Sequence, residues 1–255
     1  MFETATGSAS VVSGNFVGTD VSGLTALGNR TYGIQVSGGA VTIGGTDVAA
    51  RNVVSGNGAS GIYGAPTAVK GNYVGTDVSG TRAIPNGTDP NAYYRDGITQ
   101  LAGGPVTGNL ISANRGNGVT FVGGSVFAGN YIGTDSTGRK ALGNDGNGIE
   151  IVGNFNQTIG AAGPAVAPPA IDPAGAGRNV ISANGGHGIL GSAASDARIK
   201  YNYIGVSADG TLPLGNRGSG IYCTLSAFNV GGSADGEGNV ISANGGDGVT
   251  FRRGG

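Results

Sequence analysis

The sequence predicts an all-β fold, a parallel β-helix (solenoid) of about eight or nine coils, on three observations. Two families of short strings recur along the whole chain, each in four copies at long and similar steps. A third mark, Gly followed by Ile or Val, divides the long repeat into smaller units, the shortest running from Gly97 to Gly118. Within the units apolar residues alternate one by one, which is the period of a strand. Three short strands with Gly and Asn corners fill such a unit, and only stacking the units buries a continuous core.

The first string is Gly14-Asn-Phe-Val-Gly, repeated from Gly71, Gly129 and Tyr201. The second is Asn52-Val-Val-Ser, repeated from Asn109, Asn179 and Asn239. Both share Asn-apolar-[Ile/Val], so each long repeat holds two related units. The leading asparagines, Asn15, Asn52, Asn72, Asn109, Asn130, Asn179, Asn202 and Asn239, are expected to point inward at a corner. There an amide can bond the backbone and the equivalent amide of the next coil. Two positions on, Val17, Val54, Val74, Ile111, Ile132, Ile181, Ile204 and Ile241 form a β-branched ladder suited to the core.

The residue between them is Phe16, Val53, Tyr73, Leu110, Tyr131, Val180, Tyr203 and Val240. Alternation points it outward, and eight such residues would make an apolar patch larger than a monomer normally exposes. Two readings follow. Either the loop after each aromatic residue folds back with Leu27, Ile84, Leu142 and Leu214 over the stripe, or a glycan or partner strand stacks on Phe16, Tyr73, Tyr131 and Tyr203. The third mark falls at Gly33, Gly61, Gly97, Gly118, Gly148, Gly188, Gly220 and Gly248. It opens alternating strands such as Gly118-Val-Thr-Phe and Gly148-Ile-Glu-Ile, and no stretch keeps a helical spacing.

Composition agrees with the period. Glycine supplies 55 of 255 residues, about three times the usual share. Charged residues make up 11 % and the net charge is −1, which argues against a nucleic-acid surface. No apolar run approaches the length needed to cross a bilayer. The single Cys223 excludes an internal disulfide framework and a cysteine-clustered metal site.

These strings resemble the right-handed parallel β-helix repeats of the pectin-lyase-like superfamily. The variant with Gly-Asn-Tyr-Ile-Gly-Thr-Asp followed by Ala-Leu-Gly-Asn is similar to repeats of long bacterial surface or secreted proteins. The resemblance covers nearly the whole chain and implies the right hand, which is also the usual hand of parallel crossovers. It implies an extracellular or cell-surface location, and a polysaccharide or cell-surface glycan as partner. Lyases, hydrolases, epimerases and adhesins share this scaffold, so function rests on the site.

Candidate sites are sparse. Asp20, Asp77 and Asp135 share one loop position, where a carboxylate beside Gly-rich backbone offers oxygen to calcium or, as is commoner, bonds its own turn. Gly186-His187-Gly188 and Arg198-Ile199-Lys200 resemble polygalacturonase signatures but stand closer together than that family's spacing of more than a coil, and its partner carboxylate strings are missing. His187 instead belongs to a corner ladder of Tyr32, Ser60, Asp96, Asn117, Asn147, His187, Ser219 and Asp247. Asp96, Asp145 and Glu150 are the catalytic candidates by coil count, without an evident convergent pair. Two insertions break the repeat. The segment 86–96 ends in Tyr93, Tyr94, Arg95 and Asp96, a recognition surface, and 161–177 is rich in Ala and Pro.

The chain therefore reads as one β-helix domain over 1–255, a fragment stacked on neighbouring coils of a longer protein. The expected function is a non-catalytic stalk or adhesin-type segment that binds glycans on its surface. The alternative is a polysaccharide lyase or glycoside hydrolase acting on an acidic polymer. No cofactor other than calcium, no nucleic acid and no membrane insertion is expected.

Overall fold

The computed structural model describes residues 9–153, 156–160, 177–192, 195–224 and 227–252. The chain winds as a right-handed parallel β-helix of eight coils, whose strands form three parallel sheets of eight. The first sheet runs from Ser10–Val12 to Ala227–Val230, the second from Phe16–Val17 to Val240–Ile241, and the third from Ile34–Val36 to Val249–Arg252. Among the described residues the one helical piece is the 3-10 turn Val48–Ala50. The loop 86–96 is described, whereas most of 161–177 lies outside the described residues.

Register confirms the ladders read from alternation. In the second sheet Val17, Val54, Val74, Ile111, Ile132, Ile181, Ile204 and Ile241 pair in series. Six of them, from Val54 to Ile204, are fully buried. The first sheet contributes Ile43, Val69, Val106, Phe127, Ile159 and Ile199, and the third Ile62, Ile98, Val119, Ile149, Ile189 and Ile221. Parallel strands covered on their inner face by β-branched side chains give one core along the axis.

The corners are built from amides. Asn15, Asn52, Asn72, Asn109, Asn130, Asn179, Asn202 and Asn239 form a chain in which each Nδ2 donates to the next Oδ1 at 2.8–3.1 Å. Each Oδ1 from Asn52 to Asn130 also accepts the backbone N–H of the preceding asparagine. A second, unforeseen ladder occupies the next corner: Asn29, Asn57, Asn86, Asn114, Asn144, Asn184, Asn216 and Asn244, again joined Nδ2 to Oδ1. Its members stand alternately fourteen and five residues after the first-ladder asparagines. Long and short links thus reach the same corner on alternate coils.

Gly opens the third strand because nothing larger fits. A Cβ on Gly118 would lie 2.7 Å from Gly148 O and from Ile132 Cγ2. The long links form four stacked loops, each closed by an antiparallel bridge such as Thr76↔Ala83 or Thr134↔Ala141. Successive loops bond across the intervening coil, with Val78 N–H donating to Gly23 O, Ser136 N–H to Gly80 O and Ala208 N–H to Gly138 O. Together they make a roof over the second sheet.

Candidate binding cleft

The aromatic stripe lies on one face, as its alternation predicts: Phe16, Val53, Tyr73, Leu110, Tyr131, Val180, Tyr203 and Val240 are paired in register. Its availability differs along the axis. Tyr73 and Tyr131 are 6 % exposed and pack with Val53, Leu110 and Val180, with Tyr203 and Ala208 beside them, whereas Phe16 is 44 % exposed. The roof is not made by the four expected residues, since Leu27 is exposed, Leu142 and Leu214 sit partly buried farther along the link, and Ile84 is buried but outside the stripe's cluster. Loop tips make it instead. Gly80 lies against Tyr73 and Leu110, and Gly138 against Tyr131 and Ala208. The guanidinium groups of Arg51 and Arg178 stack 3.9 Å from the ring centres of Tyr73 and Tyr203. A glycan cannot reach the roofed tyrosines unless these loops move.

The loop aspartates are engaged locally. Asp77 Oδ1 accepts from Ser79 Oγ and from the N–H groups of Thr81 and Arg82, and Asp135 Oδ1 from Thr137, Arg139 and Lys140. Asp20 does the same with Ser22, Leu24 and Thr25, and the Ser22 hydroxyl leads the contacts holding its pKa below the ordinary value. In the fourth copy Ser207 Oγ takes the Leu212 N–H and bonds Asp209, which also pairs with Arg139 of the loop two coils away. Among the described residues no group of three His, Cys, Asp or Glu converges.

The third-sheet corner is a relay of acceptors. Ser60 Oγ accepts the Asp96 N–H, Asp96 Oδ1 the Asn117 N–H, Asn117 Oδ1 the Asn147 N–H, Asn147 Oδ1 the His187 N–H and His187 Nδ1 the Ser219 N–H, at 2.7–3.1 Å. This explains His187 as a rung. Its ring stacks on Tyr222, with centroids 4.6 Å apart, and burial lowers its pKa.

Beside the relay runs the outward ladder of the third strand: Gln35, Tyr63, Thr99, Thr120, Glu150, Leu190, Tyr222 and Thr250. Where the insertion 86–96 rejoins the coil, these two rows and the loop enclose a cleft of about 340 Å³. It is lined by Tyr93, Tyr94, Asp96, Asn117, Thr120, Val122, Glu150 and Val152. Tyr94 continues a tract of rings: Tyr32 and Tyr63 stack at 4.2 Å, Tyr63 and Tyr94 lie 5.6 Å apart, and Tyr93 meets Tyr94 edge-on at 4.6 Å. Tyr93 is 89 % exposed.

Asp96 and Glu150 converge here on one residue. Asn117 gives its N–H to Asp96 Oδ1 at 2.9 Å and its Nδ2 to Glu150 Oε2 at 2.6 Å. Asp96 Oδ2 accepts from Thr99 Oγ1 at 2.9 Å. Burial pushes the Asp96 pKa up against these hydrogen bonds, and the Glu150 charge adds to the rise. Asp145, the third candidate, stands elsewhere: it pairs with Arg115 at 3.4 Å in a separate hollow floored by Ala113. Arg95 is turned from the cleft, with its Nε bonded to Gly87 O at 2.8 Å. The residues not singled out from sequence are Tyr63, Thr120 and Asn117 in its bridging role. The outward position two residues after each third-strand Gly would have found Tyr63, Thr120 and Glu150 together.

No family model, no curated protein and no solved structure matches the chain, so its chemistry is read from these residues. Among the described residues no helix is long and apolar enough to cross a membrane.

Proposed function

We propose that this chain is a non-catalytic β-helix segment of an extracellular, adhesin-type protein, related to the bacterial surface repeats of the pectin-lyase-like superfamily, and that it binds a glycan at the third-sheet cleft. The observation that carries the reading is the aromatic tract of half-buried Tyr63 and Tyr94 and exposed Tyr93, which leads into a cleft of polar groups. Rings offer apolar faces to sugar rings while their hydroxyls, the Asn117 amide and the carboxylates meet sugar hydroxyls. This is the combination of apolar wall and few polar groups typical of a small-molecule site. The test is titration with a panel of oligosaccharides. Binding by the wild type that falls at least about tenfold in Tyr93→Ala/Tyr94→Ala supports the reading, and unchanged affinity in that variant sinks it.

A second reading, glycoside hydrolysis, is favoured by the convergence of Asp96 and Glu150. Glycosidases place paired carboxyl groups about 5–9.5 Å apart, a span compatible with two groups bonded to opposite sides of one asparagine. Against it, Asp96 is 6 % exposed and both its oxygens are already engaged. Release of reducing or unsaturated ends by the wild type, lost in Asp96→Asn and Glu150→Gln, would decide for this reading.

A further inference from the structure

We propose that the cleft selects a glycan bearing ammonium groups, an amino-sugar polymer, over neutral and uronate polymers. The inference rests on the glycan-binding reading above and names its ligand class. Two of the lining side chains are carboxylates and none is Lys, Arg or His. The three ion pairs of the described residues join Arg115 to Asp145, Arg139 to Asp209 and Lys200 to Glu237, so neither Asp96 nor Glu150 has a cationic partner. The guanidinium nearest in sequence, Arg95, is held on the Gly87 carbonyl.

The two carboxylates have different origins. Asp96 is a rung of the corner relay, where a side-chain acceptor takes the next coil's N–H, so its presence there is explained by the fold. Glu150 is not a rung. It stands on the outer face of its strand, where Thr99, Thr120 and Leu190 show that the fold needs no acid. It accepts from the Asn117 amide, which a neutral acceptor would satisfy equally. A half-buried acid placed beside a buried one is unfavourable in the empty cleft. A ligand ammonium at Glu150 offsets that repulsion through a charge-assisted hydrogen bond, and the face of Tyr94 or Tyr93 attracts the same charge. A uronate would add a third negative charge to the cleft. Arg252, which lies 5.9 Å over Tyr222, is three coils from Glu150 along the sheet and does not offset it.

The experiment uses three β-linked hexasaccharides of equal length, of glucosamine, glucose and galacturonate, titrated calorimetrically into the whole chain at a mildly acidic pH where amines are charged. The glucosamine oligomer is expected to bind at least about tenfold tighter than the glucose oligomer, with the galacturonate oligomer weakest. In Glu150→Gln, whose amide oxygen still accepts from Asn117, the first two should come within about twofold. In the wild type, high salt should erode the preference in the same direction, which keeps the proposal testable should the variant fold poorly. Equal binding of glucosamine and glucose oligomers, or tightest binding of galacturonate, overturns the charge selection and leaves the glycan reading standing. A preference that survives both Glu150→Gln and Asp96→Asn places the selection elsewhere and overturns the proposal. Binding of none of the three overturns both readings.

Discussion

At the scale of single residues, the fold depends on amides that have no freedom to be anything else. Asn109 accepts from Asn72 N–H and Nδ2 and donates to Val69 O, Thr107 O and Asn130 Oδ1, and its side chain is fully buried. Asn109→Ala strands several buried partners at about 1–3 kcal/mol each, and a loss of roughly 3–5 kcal/mol is expected in urea denaturation. Asn15→Ala, at an exposed rung whose amide donates only to Asn52 Oδ1 and the exposed Ser13 O, should cost less than about 1 kcal/mol in the same assay. Asp96 makes a prediction of opposite character. Its folded-state pKa is raised above the ordinary 3.8, mainly by burial. Below that ordinary value both states hold the proton. As pH rises through the folded-state pKa the native state must give up a proton it retains more tightly, so stability falls and stays lower above it. Asp96→Asn should flatten this segment of the stability profile between about pH 4 and neutrality, and a variant more pH-dependent than wild type would contradict the assignment.

At the scale of elements, the alternation of long and short links determines which aromatic residues are free. A short link reaches the second asparagine ladder in five residues, and a long one spends nine more on a loop that folds back over the aromatic residue of its own string and leans on the loop two coils away. Gly138 is the tightest point of that roof, with φ +66° and a Cβ position 2.5 Å from Ala208 Cβ and 2.9 Å from Tyr131 Cε2. Gly138→Val is therefore expected to lift the loop, expose Tyr131 and cost about 2–3 kcal/mol from left-handed strain and lost packing. Ultraviolet difference spectra of tyrosine exposure and a thermal melt check both parts. A variant as stable as wild type, with Tyr131 still shielded, would mean that the loop is not held by this contact.

At the scale of the whole molecule, a solenoid is a stack in which each coil touches only its neighbours. Burial follows that rule: Ile111, Ile132 and Ile181 are fully buried, while Val240, Val249 and Phe251 of the eighth coil are 38–55 % exposed. Hydrogen exchange should therefore be slowest for the amides of Leu110–Ile111, Tyr131–Ile132 and Val180–Ile181, and fastest for Phe16–Val17 and Val240–Ile241. Uniform protection along the axis would show that the coils open as one unit rather than from the ends.

How much of this was legible depended on the range of the cause. The coil, its three strands, the inward Asn-x-[Ile/Val] register and the single-face aromatic stripe follow from local period, because in stacked parallel strands every repeated residue is forced into a ladder. His187 as a corner rung follows in the same way from Ser60, Asp96, Asn117 and Asn147 at equivalent positions. The second asparagine ladder was present in the sequence but masked by its two alternating spacings. What the sequence could not show is that the long loops fold back over their own aromatic residues, since the tips at Gly80 and Gly138 are held there by N–H groups of Ser136 and Ala208 in loops two coils away. Nor could it show that Asp96 and Glu150, far apart in the chain and at unlike places in their strings, meet at Asn117 while Asp145, closer to Glu150 in the chain, turns to Arg115. Period places residues along a ladder, but side-chain reach across coils, and the path of an insertion such as 86–96 over them, exist only once the coils are stacked.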